Sequence, residues 1–194
     1  MRRIVVGMSG ASGAIYGIRM LEVLSQAEDI ETHLILSPSA GQTIVDETDW
    51  NVSRVKELAD VVYNNKDIGA SLSSGSYRHD GMIVAPCSVK TLSGIVNSYD
   101  DNLLTRAADV SLKEKRRVLL LVRETPLHLG HIELMGRAAS YGAVVMPPVP
   151  AFYHRPQTLD DVINQTVGKA LDLFDISHRL FRRWKESEAG DGKK

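Results

Sequence analysis

The run Gly7-Met8-Ser9-Gly10-Ala11-Ser12-Gly13 follows the β-branched triplet Ile4-Val5-Val6 and precedes a helical pattern. It therefore places glycines and hydroxyls where a strand turns into a helix. Free backbone N–H groups at a helix N-terminus, aided by the helix dipole, favour an anion such as a phosphate. Glycines let that backbone approach closely, and the Ser12 hydroxyl adds a donor. A plain tight turn with Ser12 as the helix cap would use the same residues. Three further segments tip the balance toward a bound anion: Ser37-Pro38-Ser39-Ala40-Gly41, Pro86-Cys87-Ser88-Val89-Lys90-Thr91 and Arg123-Glu124-Thr125-Pro126. Each follows a strand-like run, on the side of a parallel sheet where ligands bind. The spacing G-x-x-G-x-x-G departs from the dinucleotide fingerprint G-x-G-x-x-G, and Ser37 stands where a ribose-binding acid would be needed. No G-x-x-x-x-G-K-[ST] loop is present for a nucleoside triphosphate. A mononucleotide phosphate at Gly10-Ala11-Ser12-Gly13 fits best.

Other groups carry weaker signals. Glu47 lies just behind the second loop, where a catalytic acid or base and a solvated helix-end carboxylate are equally compatible with the spacing. Arg106 and Lys113 lie seven apart, two turns on one helical face, and together would suit a second anion or simply a solvated face. Glu124 follows Arg123 at a strand end, a favourable place for chemistry. His128, His131 and Glu133 do not form the H-E-x-x-H zinc pattern, and no metal is expected. Nothing local marks Cys87 as a low-pKa thiolate, so it is expected to be a packed small residue. Phe152-Tyr153 would either wall an apolar pocket or close the core.

Strand-like and helical patterns alternate around these groups. Buried strands are expected over Arg3–Met8, Glu31–Leu36, Gly81–Pro86, Val118–Val122 and Gly142–Met146. Helices are expected over Gly13–Gln26, Ser37–Asp46, Asn102–Lys115, Leu127–Tyr141 and Leu159–Phe174, whereas Thr48–Asp60 carries no firm assignment. Gly69–Asp80, with four serines and two glycines, reads as a long functional loop. This alternation implies a single doubly wound α/β domain, Rossmann-like or flavodoxin-like, with a parallel sheet and helices on both faces. The domain is expected over residues 1–184, with 185–194 a flexible tail.

Composition narrows the class of partner. A net charge of −1 and aromatics at 6% argue against nucleic-acid binding. No run approaches the ~18–20 apolar residues of a membrane span. With a single cysteine no intrachain disulfide can form, so a cytoplasmic home is expected.

Five motifs in order are similar to those of the flavin prenyltransferases, within the wider group of flavin-containing cysteine decarboxylases. They are Gly10-Ala11-Ser12-Gly13-Ala14, Ala85-Pro86-Cys87-Ser88, Asn102-Leu103-Leu104-Thr105-Arg106-Ala107-Ala108-Asp109, Arg123-Glu124-Thr125-Pro126 and Pro150-Ala151-Phe152-Tyr153-His154. The resemblance spans roughly residues 3–184. It implies transfer of a dimethylallyl group from dimethylallyl monophosphate to N5 and C6 of reduced FMN, which is thus a substrate, with no metal. The product would serve a partner aromatic-acid decarboxylase. By resemblance, Gly10, Ala11, Ser12, Ser37, Ser88, Val89, Lys90, Thr91 and Arg123 contact the flavin. Tyr153 and Lys169 bind the prenyl phosphate, with Arg106 and Lys113 near the same anion. Ser12, Glu47 and Glu124 handle protons. Ser74-Gly75-Ser76 forms a mobile loop over the site and Trp184 belongs to a covering C-terminal segment. Some relatives carry arginine where this chain has Lys169, which keeps the charge but loses the bidentate fork. The family also implies trimers gathered into homododecamers, with the site between subunits. Alternatives are an FMN-dependent cysteine-type oxidative decarboxylase, a flavodoxin-like electron carrier and a non-catalytic accessory subunit.

Overall fold

Continuous aliphatic runs form strands covered on both faces, as burial without alternation requires. The computed structural model describes residues 1–183. Its strands are β1 (Arg2–Met8), β2 (Ile30–Leu36), β3 (Val61–Asn64), β4 (Gly81–Cys87), β5 (Arg117–Val122) and β6 (Val144–Val145). They pair in the order β3-β2-β1-β4-β5-β6, every neighbour parallel. In β1, Val5 sits between His33 of β2 and Met82 of β4. The chain therefore leaves β1 in both directions, and the crevice between the carboxyl ends of β1 and β4 is the topological switch point.

Helices α1 (Ala14–Leu24), α2 (Pro38–Glu47), α3 (Val52–Glu57), α4 (Val89–Val96), α5 (Leu103–Lys113) and α6 (Leu129–Ser140) connect the strands. One core layer joins Val5, Ile35, Met82, Val84 and Leu120 to Leu92 and Ile95 of α4, Leu104 and Ala107 of α5 and Ala138 of α6. The alternate strand residues Ile4, Val6, Met8 and Ile83, all fully buried, point to the opposite face, where α1 packs. Val149 begins a second compact unit, immediately after Pro147-Pro148. This unit contains α7 (Leu159–Asp172), opened by a reciprocal capping box between Thr158 and Asp161. The chain then doubles back, with Asp172 accepting from Arg183 at 2.7 Å and meeting His178 at 3.0 Å.

The doubly wound parallel architecture is as expected, with differences in detail. The sheet has six strands rather than five: β3 is a four-residue edge strand too short to declare itself in the sequence. Val89–Thr91, expected as loop, opens α4, whose apolar residues Leu92, Ile95 and Val96 have helical spacing. The boundary after Pro148 falls inside the single domain expected over 1–184. Trp184 and the expected tail 185–194 lie outside the described residues.

Candidate active site

The β1–α1 turn depends on two glycines. Gly13 is left-handed (φ 95°), a conformation that favours glycine, and it lets the chain swing from strand to helix. At Gly10 a Cβ atom would collide with Ser39 Cβ, so α2 can approach only because the side chain is absent. Ser9, 2% exposed, rivets this turn to the next strand. Its hydroxyl donates to Pro86 O at 2.9 Å and accepts from Ser88 N at 2.7 Å. Neither Ser9 nor Ser39 stands out in the sequence among so many serines.

Three helix N-termini meet at this edge. Ser37 caps α2 by accepting from Ala40 N at 3.1 Å. Ser88 caps α4 by accepting from Thr91 N at 3.2 Å, and its hydroxyl donates to that of Thr91 at 3.1 Å. Val89 and Lys90 fill the first turn of α4. The Arg123 amide donates to Cys87 O at 3.0 Å, which pins the half-buried arginine beside the same crevice.

The α1 N-terminus is already satisfied. Glu47, at the end of α2, accepts from Gly13 N at 2.7 Å and from Ala14 N at 3.4 Å. The Ser12 hydroxyl also bonds to it. Burial pushes the Glu47 carboxyl up, but the bonds from Gly13, Ser12 and Ala14 and the charge of Arg123 outweigh it and hold the group below its ordinary value. At the phosphate cradle expected over Gly10–Gly13, the Gly13 amide, with that of Ala14 next to it, thus faces the protein's own carboxylate. Tyr16 lies in the same neighbourhood, its hydroxyl pKa raised by burial and lowered by Arg123. The exposed Glu124 carboxylate accepts from Thr125 N at 3.0 Å, on its own loop.

The expected second anion set lies elsewhere. Arg106 donates through Nε to Ser73 O at 3.2 Å and pairs with Asp100 at 3.1 Å and Asp109 at 3.4 Å. Burial raises the Asp100 carboxyl, against the lowering bond from Arg106. Lys113 ends α5 beside Glu114, and a Cβ at Gly75 would lie 2.8 Å from its Nζ. The Ser74 and Ser76 hydroxyls bond at 2.9 Å in the same loop. Lys113 and Ser74-Gly75-Ser76 thus flank the start of β5, at the amino edge of the sheet. Ser37, Ser88 and Arg123 stand at the carboxyl edge, about 20 Å away for strands of this length. One protomer does not bring the two sets together.

In the second unit Tyr153 is 45% exposed and its ring meets His154 edge-on at 5.5 Å. Lys169 is exposed in the last turn of α7. Cys87 is fully buried and its thiol is pushed up to about 12 by that burial, in keeping with a packed, inert residue. The His128 and His131 rings lie tilted at 34° with centroids 3.6 Å apart, and no group of three metal-ligating side chains occurs among the described residues.

The switch-point crevice, lined by hydroxyls, helix N-termini and an arginine, defines a nucleotide-binding doubly wound α/β protein. A family model described as Flavoprotein matches residues 1–180. The flavin prenyltransferase UbiX of Escherichia coli (strain K12) is 63% identical over 187 residues, covering 95% of this chain and 99% of its own. UbiX of Thauera aromatica is 61% identical over 186 residues, covering 96% and 95%. A crystal structure of AnUbiX (PadA1) in complex with FMN and dimethylallyl pyrophosphate matches with a TM-score of 0.92 at 51% identity, covering 94% of this chain and 97% of that one. A dodecameric FMN-dependent UbiX-like decarboxylase from Escherichia coli O157:H7 matches with a TM-score of 0.92 at 46% identity, covering 94% and 98%. The chain belongs to the flavin prenyltransferases of the flavoprotein family.

Proposed function

We propose that this chain transfers a dimethylallyl group from dimethylallyl monophosphate to N5 and C6 of reduced FMN, releasing phosphate. The observation that carries this reading is the Ser12–Glu47 pair, a hydroxyl and an ionised carboxylate held together at the switch-point crevice. The N5–carbon bond forms as phosphate leaves and the N5 proton is lost. The C6–carbon bond forms by protonation of the prenyl double bond and loss of the C6 proton, and an ionised carboxylate in contact with a hydroxyl can take one proton and return the other. Glu124 serves as a second proton carrier.

The flavin phosphate suits the N-termini of α2 and α4, where the Ser37, Ser88 and Thr91 hydroxyls gather, rather than that of α1, where Glu47 would repel it. Gly10, Ala11 and Ser12 then line the flavin, with Val89, Lys90 and Arg123 around it. Departure of the allylic phosphate is eased by cations that stabilise charge on the leaving oxygen. Arg106, Lys113 and Lys169 supply these, and Tyr153, with Trp184, screens the allylic cation from water. Because Lys113 and Ser74 stand at the other edge of the sheet from Arg123, a complete site takes them from a neighbouring copy. A dodecameric assembly provides such neighbours, and a relative is dodecameric. The product serves an aromatic-acid decarboxylase that uses prenylated FMN.

Mass spectrometry of the flavin after anaerobic incubation with reduced FMN and dimethylallyl monophosphate tests the reading. A gain of one isoprenyl unit is expected. An unchanged FMN mass, in protein that binds both compounds, would overturn it. Supplying dimethylallyl pyrophosphate in parallel identifies the donor. An oxidative cysteine decarboxylase would have no use for the cationic set Lys113 and Lys169, which disfavours that alternative.

A further inference from the structure

A histidine far from the flavin edge organises the serine loop. His33, in β2, is 1% exposed. Its Nε2 lies 2.7 Å from Glu31, its Nδ1 lies 3.0 Å from the Tyr63 hydroxyl, and that hydroxyl lies 3.1 Å from the Ser71 hydroxyl. Tyr63 stacks on the imidazole at 5.8 Å, and Tyr77 meets it edge-on at 5.9 Å. The Arg3 guanidinium lies over the Tyr77 ring at 5.2 Å while pairing with Glu31 at 3.2 Å.

Ser71 and Tyr77 are the two ends of the segment that carries Ser74-Gly75-Ser76. Tyr77 meets the imidazole directly, and Ser71 reaches it through the Tyr63 hydroxyl. Between them the carbonyls of Ser73 and Gly75 are held by Arg106 and Arg116, at 3.2 Å and 2.7 Å. The proton directions follow from the chemistry of each group. Burial favours the neutral imidazole. An ionised carboxylate only accepts, so Glu31 fixes the ring proton on Nε2. Nδ1 must then accept from the Tyr63 O–H, which leaves the Tyr63 oxygen to accept from Ser71. An ordered chain thus runs from Glu31 to Ser71, and the Tyr77 side chain bonds to Tyr63 as well.

We propose that His33 is a positioning residue for prenyl transfer, acting through Tyr63 and Tyr77 to hold residues 71–77 so that the Ser74 and Ser76 hydroxyls meet the prenyl phosphate. The proposal rests on the reading above that this segment serves the site. His33 itself touches no reacting atom.

Tyr63→Phe, His33→Leu and His33→Asn test it in the intact assembly, by amide hydrogen exchange at residues 71–77 and by steady-state kinetics. Asparagine places a polar atom close to the position of Nδ1 and so keeps a partner for Tyr63. Tyr63→Phe and His33→Leu are expected to speed exchange across 71–77 about fivefold or more, as loss of one hydrogen bond implies. KM for dimethylallyl monophosphate should rise in similar proportion, with kcat and FMN affinity little changed, and His33→Asn should restore most of both. Unchanged exchange in both Tyr63→Phe and His33→Leu, or no rescue by asparagine, would overturn the network. Faster exchange with an unchanged KM would leave the anchor standing and overturn its part in the reaction. Failure of the wild-type protein to transfer any prenyl group would sink the proposed activity instead, and the exchange data would still report on His33.

Discussion

Glu47 is tied to Ser12 and to the first amides of α1, and its pKa is depressed by those bonds against the opposing effect of burial. The carboxylate is therefore ionised at and below its ordinary range near about 4.3. The acid limb of kcat/KM that depends on it is expected to fall there or lower, in a pH profile with reduced FMN. Glu47→Gln keeps the shape, removes the acceptor and should lower turnover by about 10²- to 10⁴-fold. Flavin fluorescence titration should show FMN binding largely retained. Lys169 invites the opposite substitution. Lys169→Arg restores a bidentate fork, and a gain of about 1 kcal/mol would lower the donor KM roughly fivefold. An unchanged KM would remove Lys169 from the phosphate contacts. Little of the Ser12–Glu47 pairing could be read in the sequence, because 35 residues separate the two and nothing local says where α2 will lie. The structure lays α2 along the turn, touching it near both ends, at Gly10 through Ser39 and at Gly13 through Glu47.

The elements that declared themselves in the sequence were those with unbroken aliphatic cores. β1, β4 and β5 are buried on both faces, and their runs Ile4-Val5-Val6, Met82-Ile83-Val84 and Val118–Val122 admit no other reading. α4 hid because its first turn is the same serine- and threonine-rich stretch that lines the crevice. β3 hid because an edge strand of four half-buried or exposed residues has almost no pattern. It is held from outside: Asp60 accepts from Thr32 N at 2.7 Å and from the Thr32 hydroxyl at 2.8 Å. The backbone bond from Thr32 is the largest influence on the Asp60 carboxyl and depresses its pKa. Its stabilisation is whole above the unfolded value of about 3.9 and is lost as pH falls through the lower folded value. Urea midpoints of wild type and Asp60→Asn should therefore differ by a constant amount at neutral pH and converge in acid. Gly10→Ala tests the packing of the turn on α2. The clash with Ser39 should displace the α2 N-terminus and weaken FMN binding about tenfold or more, by about 1.4 kcal/mol.

The residues proposed for the site lie at two edges of one sheet, and that proposal makes a demand on the assembly. Glu47→Gln and Lys113→Ala variants should each be nearly inactive alone. If each site draws Glu47 from one copy and Lys113 from the next, co-assembly in equal amounts should restore about one quarter of wild-type activity, since half the copies and half their neighbours are intact. Restored turnover is read by flavin mass analysis, and no recovery in verified mixed assemblies would place both residues in one protomer's site. Covering both faces of the sheet was readable from the sequence. The separation of Lys113 from Arg123 was not, because residues ten apart in the chain sit at opposite ends of one strand.

If a neighbouring copy supplies Lys113 and Ser74, as proposed, their placement at the amino edge makes turnover depend on protein concentration. A dissociated protomer would keep the crevice proposed for flavin and lack the neighbour's cation proposed to activate the donor. Dilution below the association threshold would then silence turnover while leaving flavin affinity intact, and specific activity would rise with protein concentration until assembly is complete. The reaction would be first order in enzyme only above that point.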